Sequence, residues 1–234
     1  MSTNNKNETR AEKNLENINE ALTSTEKFLE KNQKQLLLAL LAVVVVVGGI
    51  LAFHYLHRVP KREEAQTAIF KGERYFQEGQ DSLAIFGNGN DYIGFEAIID
   101  KYKGTQTADL AHAYAGISYS RMGNNEKALE HLKKFKGGDI LVTPAITGSI
   151  GDVYLNMGDS DNAISQYMKA AKSANDNLIS PIFYKKAGEV YISKGDYDKA
   201  IETFTTIKTK YLNTPEGQEA DKYITQAKML KGEN

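Results

Sequence analysis

Two hydrophobic patterns divide the chain. Leu36 to Phe53, LLLALLAVVVVVGGILAF, is 18 residues without a polar side chain, and Tyr55 and Leu56 extend it toward 21. At about 1.5 Å per residue a helix of that length reaches roughly 30 Å, the hydrocarbon thickness of a bilayer. A soluble helix so uniformly apolar needs protein all round it, so residues 36–56 are expected to form a transmembrane helix. The run is expected to stay attached, because a 35-residue polar lead and the lack of a small-x-small site after it do not fit a cleaved signal. Residues 1–35 form a polar tail with six Lys/Arg against six Glu. Leu15, Ile18, Leu22 and Leu29 share one helix face there, which suits a partly helical solvated tail or a helix that binds a partner or a membrane surface.

Beyond Pro60 the pattern changes. Residues 57–62 read as a linker, and from Glu63 apolar residues recur at helical spacing, with turns marked by Gly followed by Asn or Asp at Gly123, Gly158 and Gly195. One template recurs at fixed offsets. From Gly188 it gives Tyr191 at +3, Gly195 at +7, Ala200 at +12 and Phe204 at +16; from Gly151 it gives Tyr154, Gly158, Ala163 and Tyr167; from Gly116 it gives Tyr119, Gly123, Ala128 and Leu132. The starts lie 35 and 37 residues apart, the period of a stacked array of helix pairs. A fourth, degenerate copy keeps Gly72, Tyr75 and Gly79. An insertion, Gly79 to Asp91, then displaces its second helix to a start at Tyr92.

The offsets carry packing expectations. Gly at the first offset stands mid-helix, where it weakens a helix by about 1 kcal/mol relative to Ala, so its repetition implies a close approach to the second helix near the Ala at +12. The Tyr at +3 and the bulky residue at +16 are expected to fill the space between units. Gly123, Gly158 and Gly195 suit the residue just past a helix end, where positive φ is required. Asn124/Asn125, Asp159/Asp161 and Asp196/Asp198 read as caps of the following helices, and Pro144, Pro181 and Pro215 mark unit boundaries.

The Gly-x-x-Tyr…Gly-Asp-x-x-x-Ala-x-x-x-aromatic…Pro pattern of Gly188 to Pro215 resembles the tetratricopeptide repeat. The resemblance covers about residues 63–232 and departs from the family at the first-helix tryptophan, where His112, Thr147 and Tyr184 stand instead. It implies an all-α tetratricopeptide-repeat solenoid behind a single transmembrane helix. The expected divisions are a degenerate repeat over 63–107, repeats over 108–143, 144–180 and 181–214, and a capping helix over 215–234. Family geometry places Ile69, Glu73 and Phe76, then Ile117, Ser120 and Arg121, on a partner-binding groove with Ala113. Asp152, Leu155 and Asn156, then Lys185, Glu189 and Ile192, continue it. The groove lacks the Lys and Asn set with which family members clamp acidic chaperone tails.

Composition narrows function by exclusion. A net charge of -1 offers no concentrated basic face for nucleic acid. There is no Cys, HExxH, GxSxG or GxxxxGKS/T, and Gly87-x-Gly89 follows no strand, so neither a catalytic centre, a metal site nor a cofactor is expected. His54 and His57 read as headgroup-level residues, and His112 and His131 as structural ones. Polar tail, span and small array together resemble bacterial inner-membrane proteins of the ancillary Sec-translocon subunit and cell-division-coordinator type. That layout implies a noncatalytic protein-binding module with the array in the periplasm. Its expected partners are translocon subunits, secretory clients or a chaperone, with the bilayer contacted through 36–56. Two alternatives stay open: a scaffold for envelope assembly or division complexes, and a regulator acting through its cytoplasmic tail. Lys27, Lys31 and Lys34 before the span, against Arg58, Lys61, Arg62, Lys71 and Arg74 after it, slightly favour the opposite orientation, but long domains cross largely regardless of charge.

Overall fold

The computed structural model describes residues 4–232, with side chains from Phe28 onward except those of Glu30, His57 and Arg58. The described residues form helices and turns without strands, in two compact units, Met1–Pro60 and Lys61–Asn234. Each unit is described by itself.

In the first unit, α1 runs from Asn4 to Phe53. No Pro or Gly interrupts the chain before Gly48, so nothing in the tail breaks the helix. The face expected from Leu15, Ile18 and Leu22 lies outside the residues whose side chains are described. From Leu36 to Phe53 every side chain is exposed, and α1 is long and apolar enough to cross a membrane.

Residues 57–62, expected as a linker, are helical, and the boundary between the two units falls among them, after Pro60. His54–Arg58 forms a π-turn in which the Val59 N–H reaches the His54 carbonyl, and α2 (Val59–Gln77) follows with Pro60 at its second position. Proline has no N–H to give and clashes with the carbonyl four residues back, and the wider turn accommodates both demands without ending the helix.

The second unit is a series of antiparallel helix pairs. After α2, the short α3 (Asp81–Phe86) and α4 (Phe95–Lys101) share the role of a second helix. The pairs α5 (Gln106–Arg121) with α6 (Asn125–Lys134), α7 (Val142–Asn156) with α8 (Ser160–Ala174), and α9 (Ser180–Ser193) with α10 (Tyr197–Lys210) follow, and α11 (Pro215–Lys231) closes the series.

The template residues meet as a set within each pair. A Cβ on Gly116 would lie 2.6 Å from Leu132, one on Gly151 2.7 Å from the Tyr167 ring, and one on Gly188 2.6 Å from the Phe204 ring. Leu132, Tyr167 and Phe204 are essentially inaccessible, as are Ala128, Ala163 and Ala200 beside them. The bulky residue at +16 therefore fills the space vacated by the glycine of its own pair, and it also reaches onward. Tyr167 stacks on Phe183 of the next pair at 6.2 Å, and Phe204 stacks on Tyr223 of α11 at 5.1 Å.

The Tyr at +3 is less uniform than its repetition suggests: Tyr119 is buried, whereas Tyr154 and Tyr191 are half-buried. Its constant duty is in the backbone. The N–H groups of Asn124, Asp159 and Asp196 each bond the carbonyl of that tyrosine at 2.9 Å, and Gln80 does the same to Tyr75 at 2.8 Å. With Gly79, Gly123, Gly158 and Gly195 at φ +71 to +80, these bonds close each first helix in a Schellman turn. The side chains of Asn124 and Asp159 then cap the second helices, through the N–H groups of Lys127 and Asn162; Asp196 makes no such cap and pairs with Lys199 at 3.3 Å.

The insertion is built on itself. Asn88 Oδ1 accepts from the N–H groups of Asn90, Asp91 and Tyr92, and Tyr92 is buried with its hydroxyl donating to the Ala84 carbonyl at 2.7 Å. The second helix of this pair accordingly begins at Phe95, three residues later than expected. Gly72 still packs against Tyr92 and Phe95. Where Thr147 replaces the expected indole, a cleft of about 320 Å³ opens between α6, α7 and α8.

Gly188→Leu is expected to destabilise the array by about 1–3 kcal/mol, because Phe204 is enclosed and cannot withdraw. Denaturant unfolding of the full chain in detergent checks this, with G188L/F204A expected to recover part of the loss; equal midpoints for G188L and the parent would refute the account.

Candidate functional site

The candidate residues lie on the first helices of the pairs, and two kinds are found among them. Ile69 is buried in the core, while Phe76 and Ile117 are half-buried against it, so these three give the face its apolar floor. Leu155 and Asn156 are exposed at the end of α7, and Glu189 is exposed on α9 next to half-buried Ile192. Ser120 is half-buried on α5.

The charged members are joined across the pairs. Glu73 of α2 accepts from the Tyr114 hydroxyl of α5 at 3.3 Å. Arg121 places its guanidinium 4.3 Å over the Phe76 ring, donates to the Phe76 carbonyl at 3.2 Å and lies 3.5 Å from Asp81. Asp152 of α7 accepts from Tyr167 and from Lys186 of α9, each at 2.6 Å. Lys185 of α9 sits 4.9 Å over the Tyr223 ring of α11, within 4.0 Å of Glu189 and 3.8 Å of Glu219. The face thus offers Leu155, Asn156, Glu189 and Ile192 as accessible groups, framed by charges that already have partners.

Sequence reasoning kept His112 and His131 apart, and the structure brings them together. His112 on α5 and His131 on α6 face each other with Nδ1 atoms 3.1 Å apart, and His131 Nε2 lies 3.3 Å from Glu96 of α4. The Tyr119 hydroxyl donates to the same Glu96 oxygen at 2.6 Å and lies 3.3 Å from Lys127 Nζ. With both imidazoles neutral, one assignment makes every bond: His131 donates Nε2–H to Glu96 and accepts at Nδ1 from His112 Nδ1–H. Only the 19-residue spacing across a helix turn marks the pair in the sequence. Burial holds both rings below the usual histidine value; the opposing ring adds to this at His112, and Glu96 opposes it at His131. Among the described residues no three His, Cys, Asp or Glu gather in a way that could hold a metal.

Comparison with known proteins bears on the repeat units. A family profile described as tetratricopeptide repeat matches residues 148–177 and 182–207. No curated protein matches the chain. A solved structure of MamA protein is similar over 73% of this chain and 84% of its own, at 23% identity and a TM-score of 0.50. A putative kinesin light chain of Podosopora anserina with nearly identical TPR-like repeats is similar over 73% of this chain and 88% of its own, at 14% identity and a TM-score of 0.56. At these identities the likeness is one of fold. The fold is an all-α solenoid of tetratricopeptide repeats.

The histidine pair sets an acid limit. Because both folded-state values are depressed, the unfolded chain takes up protons first; the pair's contribution is complete above the ordinary histidine value of about 6.5 and is lost as pH falls through it. The melting temperature of the full chain is expected to fall between about pH 7 and pH 5. The H112Q/H131Q variant should show a shallower decline, and parallel curves would remove the pair from the account.

Proposed function

We propose that the chain is a membrane-anchored, noncatalytic adaptor whose repeat array binds protein partners along the first-helix face. The observation that carries this reading is the joint presence of an exposed apolar helix in one unit and an array with an accessible, partly apolar face in the other. An isolated helix with eighteen exposed apolar residues is stable in lipid and is an aggregation hazard in water. Tetratricopeptide arrays act through protein contacts, and anchoring raises the effective concentration of partners held at the same membrane, so weak groove contacts suffice.

The layout it shares with ancillary translocon subunits makes the bacterial inner membrane its proposed site, with the array on the periplasmic side and newly translocated proteins and translocon subunits as the first partners to test. A photo-crosslinker at Leu155 or Glu189 is expected to yield adducts with such proteins in intact cells. Adducts with division or wall-building enzymes would move the adaptor to envelope assembly. Adducts arising only from residues 15–29 would make the tail the binding element and overturn the groove. The array is expected to be cleaved by protease added to spheroplasts, and protection there would reverse the orientation.

A further inference from the structure

The edge of the array where one repeat passes to the next carries a recurring pair of exposed groups that the packing does not require. At the three junctions a leucine stands three residues before the boundary proline: Leu141 before Pro144, Leu178 before Pro181 and Leu212 before Pro215. All three are exposed, at 39%, 66% and 59%, and Ile140 beside the first is 79% exposed. Each is accompanied by a lysine, Lys172 and Lys210 in the last turns of α8 and α10 and Lys136 two residues past the end of α6, all exposed and without an ion pair among the described residues.

Single exposed leucines are ordinary on a protein surface, and lysines at helix C-termini complement the helix dipole. Neither rule accounts for both groups returning together at each of these three junctions. Nor is the charge balanced locally at the first two junctions. The helices that begin there, α7 and α9, have no acid in their first turns, and Asp139 and Asp176 turn their carboxylates to backbone N–H groups of their own loops; at the third junction α11 carries Glu216 in its first turn. The opposite edge, where the two helices of a repeat are joined, has the reverse character. It exposes Met122 and Met157 beside Glu126, and its acids Asp161, Asp196 and Asp198 are already paired with Lys194, Lys199 and Lys231, so it offers no set of lysines without ion pairs. An anionic surface discriminates between the two edges.

We propose that the junction edge is a membrane-contact surface that lays Leu141, Leu178 and Leu212 into the interface of an anionic bilayer, with Lys136, Lys172 and Lys210 at headgroup level. The inference rests on the anchored reading above, because a tether keeps the array within reach of lipid. A bilayer is the fitting occupant because exposed leucines and lysines without ion pairs recur at successive junctions; only Lys172 among them also lines a groove, between α8, α9 and α10. They suit an extended surface, in which apolar groups enter the acyl boundary and cations meet phosphate. The edge then orients the array, leaving the first-helix face open to partners.

The chain has no cysteine, so single-cysteine variants label cleanly. The full chain is reconstituted in phosphatidylcholine vesicles with or without phosphatidylglycerol, carrying an environment-sensitive fluorophore at L141C, L178C or L212C, or at E126C or Q77C on the other edge. The junction labels are expected to shift to the blue and to lose emission to a quencher attached to lipid near the headgroups, only when phosphatidylglycerol is present. Labels at the other edge should stay aqueous. Lys136→Glu with Lys172→Glu and Lys210→Glu should abolish the quenching while the chain remains in the carbonate-washed vesicle. A retained chain with unquenched junction labels overturns the edge and leaves the anchor standing. A chain stripped by carbonate but quenched beforehand overturns the anchor and leaves the edge. Labels shielded only after protein extract is added, with no quenching by lipid, make a protein the occupant and overturn the proposal.

Discussion

The close approach of the two helices inside each repeat, glycine against a bulky side chain, is the contact from which the rest of the array follows. Gly116, Gly151 and Gly188 give up helix propensity so that Leu132, Tyr167 and Phe204 can lie flat against bare backbone. Setting the helices that near brings Ala128, Ala163 and Ala200 to zero exposure. The same aromatic then shows its other side to the next repeat, Tyr167 to Phe183 and Phe204 to Tyr223. One side chain thus fixes both the angle within a pair and the seat of the following one, and the array grows by repeating that step.

The array was legible in the sequence because its demands are local and repeated. A glycine at a helix end and an alanine at a helix crossing return at constant offsets, and each offset has one geometric meaning. The tyrosine at +3 shows the limit of that logic. Its ring sits in different surroundings in each copy, while its carbonyl, which carries no sequence signal, closes the turn every time. Pro60 was misleading for a related reason: it donates no backbone bond itself, and the wider turn closed by Val59 N–H on the His54 carbonyl just before it lets the helix continue.

What could not be read depended on contacts between distant residues. The insertion looked like a break, yet Asn88 folds it around its own side chain and returns Tyr92 to the core, where Gly72 meets it. The histidines looked like two isolated structural residues. Only the packing of α4 against α5 brings Glu96 to His131, and only the α5–α6 turn brings His131 to His112. On the candidate face, periodicity identified which side chains share the first helices. It could not tell that Asp152 answers to Lys186, or that Arg121 lies on Phe76.

Those pairings change how the face can recognise a partner. A charge already held by a neighbouring repeat offers a ligand little net attraction, because a new ion pair must replace an existing one of similar strength. Glu73, Asp152, Lys185 and Arg121 therefore act first as ties between repeats, and specificity falls to the groups between them. Leu155 and Ile192 supply apolar contact, Asn156 supplies amide bonding, and Glu189 supplies a charge loosely held at 4.0 Å. A ligand that does draw Asp152 away from Lys186 loosens the seam between α7 and α9, so binding strong enough to compete for those charges also alters how successive repeats are held.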